Sequence, residues 1–434
     1  MSIELVYDLD EKPRSTRDII VYSLQWIVTM FYCVIWGYAI VGVGLELTGE
    51  VLARYMATIV LMIGVSTLVQ TYFGHRFTMV SGPNVIPSLA ITAAMQIGGK
   101  DYALMAFTAQ AIAGVVVAIL GAIGLIGYIS EVWSNLVLGS MVMMVGLSIA
   151  GTGLSLLTAQ GAGWPFFVGL GLALLAGIIS IKGKGVVSTL PTLVVVVIGY
   201  AIFIIAGRFD WAFINELPLF ILPQPFPFGI QLPPWDLILT MIIVNFMAAL
   251  NLYGNVTGWG SIVGHTVEKA QMKRSFSLFG LIETTLAGIL GVPGHVAYGE
   301  NLGIITLTRV ASRYFLLFGS AIFLIASFFG PMGGFMAAMP DPIAGAILLG
   351  IASTVIGQGA DIWNQEKFER REIMITGFSV FLSYGLSILP DSFWNQVPRL
   401  LATVFSNPII TVILVVITLE QIFFRKEDNN QISE

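Results

Sequence analysis

Charge is scarce in this chain: 20 of its 434 residues are Lys or Arg and 25 are Asp or Glu, 10% in all. A soluble domain carries about 25%. Cysteine and histidine are scarcer still, at one and three. The lone Cys33 excludes an intrachain disulfide, and its apolar neighbours mark it as a small buried hydrophobe. Three scattered histidines, with no His-Glu-x-x-His or paired-Asp motif, leave no metal centre and little for catalysis. No cofactor and no enzyme activity is therefore expected. The net charge of −5 offers no basic surface to a nucleic acid. The stretch from Met1 to Asp18 is polar and lacks the apolar core of a cleavable signal.

What is abundant is apolar sequence, 56% of the chain, with a mean hydropathy of +0.89. Apolar segments fall at about residues 19–44, 51–73, 85–98, 102–128, 132–157, 165–182, 186–207, 236–263, 275–291, 296–308, 314–330, 335–358, 372–389 and 400–424. Most have the roughly 20 residues that span a bilayer as a helix. The expected fold is thus an all-α polytopic membrane protein with fourteen segments, those near 85–98 and 296–308 being short. An N-terminus inside the cell puts sixteen of the twenty Lys and Arg on inner loops and ends, among them Lys184 and Lys426. Only Arg54, Lys100, Arg208 and Arg399 then lie outside. That bias toward the inner side fits a cell-membrane protein with both termini cytoplasmic. His75 and His265 fall at inner ends and are expected at the interface.

Residues 211–235 form the longest connection, rich in Pro and aromatics, and are expected on the outer membrane surface. They separate a first half, 1–210, from a second, 236–434. Ser81-Gly82-Pro83-Asn84 opens the short segment of the first half, and Val292-Pro293-Gly294-His295 opens that of the second, with the prolines 210 residues apart. Seven spans per half is odd, so the second half is expected to be inverted. Short, Gly/Pro-interrupted segments at matching positions of inverted halves point to a transporter's midplane site. The expectation is extended backbone at Asn84-Val85-Ile86, facing Val296-Ala297-Tyr298.

Glu300 follows the second break. A charge at this depth costs roughly 2.5–3.5 kcal/mol on insertion scales and usually faces a cavity. A helix starting there favours the ionised carboxylate, and desolvation favours the protonated one. Glu283 is a second acid inside an apolar segment, able to pair with polar neighbours or to carry a proton. Met141-Val142-Met143-Met144 is expected to pack against lipid or a neighbouring helix.

Glu300-Asn301-x-Gly303-x-x-x-x-Thr308-Arg309 resembles the signature of the nucleobase–ascorbate transporter family, also called nucleobase:cation symporter family 2. Gln70-x-x-x-Gly74-x-Arg76 and Leu286-Ala287-Gly288 extend the resemblance over nearly the whole chain. It implies a core domain of spans 1–4 and 8–11 and a gate domain of spans 5–7 and 12–14. It implies broken spans 3 and 10, alternating access, a uracil, xanthine, uric acid or other purine substrate, and a homodimer. Carried over residue by residue, it gives Glu300 the ring N–H groups. Backbone at Gly299, Tyr298 and Val85 meets the base edges, and Asn301 supports the loop. The chain departs from the family where a glutamate is usual: Asn251 stands there, with Asn255 one turn on. Gln25-Trp26 stands where a Gln-His pair is frequent, making Trp26 a candidate too. Asn251 still offers one acceptor and two donors. Coupling to H⁺ through Glu300 or Glu283, coupling to Na⁺, and uncoupled transport all stay open. An anion transporter of the same wider fold is less favoured, because no Lys or Arg falls near the midplane.

Overall fold

A computed structural model describes residues 3–30, 33–125, 134–183, 191–365 and 367–425. Lys184 and Lys426 lie outside the described residues. The chain is mostly helical: α1 (Thr16–Met30), α2 (Cys33–Trp36), α3 (Gly49–Tyr72), α4 (Val85–Ile123), α5 (Asn135–Thr158), α6 (Trp164–Lys182), α7 (Pro191–Ile205), α8 (Trp211–Glu216), α9 (Trp235–Val263), α10 (Lys269–Leu278), α11 (Ala287–Ile289), α12 (Asn301–Thr308), α13 (Arg313–Ser327), α14 (Gly330–Ala337) and α15 (Asp341–Trp363). Beyond these lie Arg370–Ser387, Asp391–Trp394, Arg399–Phe405 and Pro408–Thr418. Among the described residues, seven helices are long and apolar enough to cross a membrane, or eight if Arg399–Phe405 and Pro408–Phe423, bent by 88°, form one span.

The apolar segments do not map one to one onto long helices. Segments 85–98 and 102–128 run together in α4, kinked at Gly99, whose φ of 72° is open to glycine at no steric cost. Segment 335–358 breaks at Pro340, which separates α14 from α15, because proline lacks the amide hydrogen an inner helical turn needs. The last segment turns at Asn407, whose side chain caps the helix that opens with Pro408. Segment 275–291 is α10 followed by a π-helical stretch, Phe279–Leu286, and then α11.

Two three-residue strands form an antiparallel pair, β1 (Ser81–Pro83) with β2 (His295–Ala297), in the register Ser81↔Ala297, Gly82↔Val296 and Pro83↔His295. Extended backbone therefore comes slightly earlier than expected in the first half. Asn84 is a helix cap, its Oδ1 accepting from Ile86 N at 2.9 Å, and Val85 and Ile86 are already helical.

Strand pair and helices share one apolar core. Phe77 stacks on Trp259 with centroids 4.2 Å apart. His75 is fully buried here, not interfacial, with Nδ1 accepting from Phe77 N at 3.0 Å. His265 stays near the surface beside Asp8. Cys33 is buried and free. Helices α5 and α15 touch backbone to backbone through Gly153 and Gly345 near one end, and Gly139 and Gly359 near the other. A Cβ at Gly345 would stand 2.6 Å from Gly153 O, and one at Gly359 would stand 3.0 Å from Gly139 O. Within residues 211–235, Phe220, Leu222, Ile230 and Leu232 are exposed, and Pro227 and Phe228 lie against Gly291.

Candidate substrate site

Polar side chains hold the strand pair from both sides. Gln110 Nε2 donates to Val292 O at 3.0 Å, and its Oε1 accepts from Gly294 N at 2.9 Å. That amide fixes the Pro293–Gly294 break, whose backbone has no sheet of its own to bond to. Asn84 N donates to Gly294 O at 2.7 Å. Asn301 Oδ1 accepts from Val80 N at 3.0 Å, while its Nδ2 donates to Val80 O and Tyr298 O. Tyr298 Oη donates to Pro83 O at 2.8 Å. Asn255 Nδ2 donates to Ala297 O, so α9 is pinned to β2. His295 sits inside the fold with Nδ1 against Pro293 O, closing the turn.

A cavity of about 120 Å³ opens beside these strands. Val85, Asn251, Asn255, Tyr298, Gly299 and Glu300 all line it. Two candidates do not. Asn301 faces the strands, and Trp26 is buried in the core at 2% exposure, away from the lining. The tryptophan at the cavity is Trp36, ten residues further on. Its indole Nε1 is buried without a partner among the described residues, as is Asn84 Nδ2, another lining residue. Buried polar atoms are rarely left so. Helices α5 and α15 supply the remaining wall with Met141, Val142, Val145, Val355 and Gln358. The Met141 stretch, expected only to pack, thus reaches the cavity, and no local sequence signal marks Gln358. Among the described residues no Lys or Arg lines the cavity.

Glu300 is half-buried at the entry to α12. Glu283 lies apart, in the π-helical stretch, fully buried. Gln70 Nε2 donates to its Oε2 at 2.7 Å, and Ser275 Oγ donates to Gln70 Oε1 at 3.0 Å. Among the described residues no group of three or more His, Cys, Asp or Glu is placed to hold a metal ion.

A family model, Xan_ur_permease, described as a permease family, matches residues 17–392. The chain belongs to that family. This permease is 25% identical over 438 residues to the uric acid permease PucJ of Bacillus subtilis, covering 97% of this chain and 96% of that one. It is 25% identical over 406 residues to the uracil permease of Bacillus caldolyticus, covering 89% and 90%. The xanthine permease of Bacillus subtilis is 24% identical over 397 residues, covering 89% and 90%. These are permeases, not enzymes. Among solved structures, the transmembrane domain of the cyanobacterial bicarbonate transporter BicA matches with a TM-score of 0.58 at 15% identity. That match covers 93% of this chain and 98% of that one. The murine anion transporter Slc26a9 matches with a TM-score of 0.64 at 11% identity, covering 86% and 66%. Those two share the fold of this multi-pass membrane permease.

Proposed function

We propose that this permease is a secondary active transporter of a nucleobase, with the base held in the cavity between the strand pair and helix α9. One observation carries the reading: Glu300, Asn251 and Asn255 line one cavity together, beside Tyr298 and Gly299. A carboxylate accepts two ring N–H groups, and an amide both donates and accepts, so this wall matches the alternating edge of a dione base. An engineered apolar cavity of about 150 Å³ binds benzene, so a flat ring suits a space of this order.

The same proposal takes in the finer architecture. Fourteen spans form two inverted halves, with core spans 1–4 and 8–11 moving as an elevator against gate spans 5–7 and 12–14. Both termini face the cytoplasm, and two copies pair. A neutral base gains nothing from the membrane potential, so accumulation needs a cation. One charge crossing 100 mV supplies about 2.3 kcal/mol. The cation is H⁺, with Glu300 central and Glu283 the second carboxylate; Na⁺ coupling and uncoupled passage are the alternatives. An anion as substrate is disfavoured by the absence of Lys and Arg from the cavity lining.

The test is a thermal-shift panel of uracil, xanthine, uric acid, guanine, adenine and ascorbate, with and without Na⁺, at two pH values. A ligand that binds only the folded state raises the melting temperature. A shift with a base supports the proposal, and no shift with any base overturns it.

A further inference from the structure

Gln358 differs from the rest of its wall. Of the five lining residues from α5 and α15, Met141, Val142, Val145 and Val355 are apolar, and Gln358 alone can hydrogen-bond. It is exposed toward the cavity and makes no hydrogen bond to the described protein. Its position is fixed. The next residue, Gly359, is where α15 meets the backbone of α5, and a Cβ there would stand 2.9 Å from Met143 N. This close approach of the two helices sets where α15 presents the Gln358 amide at the cavity.

The other wall is already committed. Asn255 Nδ2 is taken by Asn251 Oδ1 and Ala297 O. Glu300, the Asn251 amide nitrogen and Asn255 Oδ1 are left to read one edge of a ring. We propose that Gln358 reads the opposite edge and is a specificity-determining residue favouring a fused-ring purine over a single-ring pyrimidine. This rests on the nucleobase reading above. A carboxamide presents one acceptor and two donors. The imidazole edge of a purine presents a ring N–H and a ring nitrogen, which answer both. The far edge of uracil presents two C–H groups, which answer neither and leave the amide facing carbon. A site built around a polar group discriminates strongly against a ligand that leaves that group unpaired.

Equilibrium binding of xanthine and of uracil to the purified full chain, as wild type, Gln358→Ala and Gln358→Glu, tests this. Melting temperatures without ligand should match, because the side chain has no protein partner to lose. The wild type should prefer xanthine, and Gln358→Ala should lower the xanthine-to-uracil affinity ratio by about ten-fold or more, through xanthine alone. Gln358→Glu, which keeps length but removes the donors, should also lower it. A wild type that prefers uracil overturns the proposal. So does a ratio unchanged in both variants, or an equal loss for both bases. A wild type that binds no base removes the nucleobase reading itself, and this proposal with it.

Discussion

Asn255 Nδ2 donates to Asn251 Oδ1 at 3.1 Å, and the two residues are one helical turn apart on α9. The same nitrogen reaches Ala297 O at 2.8 Å. One amide thus sets the orientation of its neighbour and ties the helix to β2. Asn251 is left with its nitrogen free, which makes it a donor toward the cavity.

The two asparagines should behave differently when truncated. Asn251→Ala should weaken base binding by about ten-fold, the loss of one hydrogen bond of roughly 1.4 kcal/mol, and lower the melting temperature only slightly, because Asn255 Nδ2 keeps Ala297 O. Asn255→Ala should lower both, because it also orphans Ala297 O. Isothermal titration beside thermal unfolding separates them. Unchanged affinity in Asn251→Ala would make that residue a structural one.

Glu300→Gln keeps the shape of the side chain but exchanges an acceptor pair for one acceptor oxygen and an NH₂ group with two donors. Uptake of radiolabelled base should fall to background while the protein remains in the membrane at parental amounts. Immunoblotting of membranes alongside uptake checks both parts. Normal uptake by this variant would remove Glu300 from the site.

Much of this was legible in the sequence because membrane chains expose their exceptions. Glu300, Asn251 and the two Pro-Gly breaks stand out against apolar neighbours, and all reach the same cavity region. Gln358 and Trp36 were not legible, because nothing local to them differs from ordinary helix sequence. They matter only through the crossing of α5 with α15 and the packing of α2. Trp26 drew notice through its place in a family pattern, yet its ring is core. The extended segment lies about three residues before Asn84-Val85-Ile86 for a local reason: Asn84, directly after Pro83, is a good cap, and α4 starts at Val85.

Asn301 supports the strands without touching the cavity. Its side chain satisfies both Val80 N and Val80 O and also Tyr298 O. Asn301→Ala leaves Val80 N without its acceptor, a loss that costs about 1–3 kcal/mol, and takes one of two donors from Val80 O and from Tyr298 O, which keep the backbone amides of Tyr298 and Asn301. The melting temperature should drop by several degrees, and saturating base should restore part of it. A variant as stable as the parent would show that the strands hold without this clamp.

Glu283 is the other carboxylate whose role can be separated. It has no exposure, its Oε2 accepts from Gln70 at 2.7 Å, and no ion pair to it is made among the described residues. Ser275 Oγ on α10 in turn donates to that Gln70 side chain at 3.0 Å. Glu283→Gln keeps an acceptor for Gln70 Nε2, so the packing should survive. Base affinity should be unchanged, because Glu283 does not line the cavity. What should change is coupling: accumulation measured in vesicles across a range of outer pH should become flat. A pH profile matching the parent's would take Glu283 out of the coupling and leave it as a buried hydrogen-bond acceptor that positions Gln70.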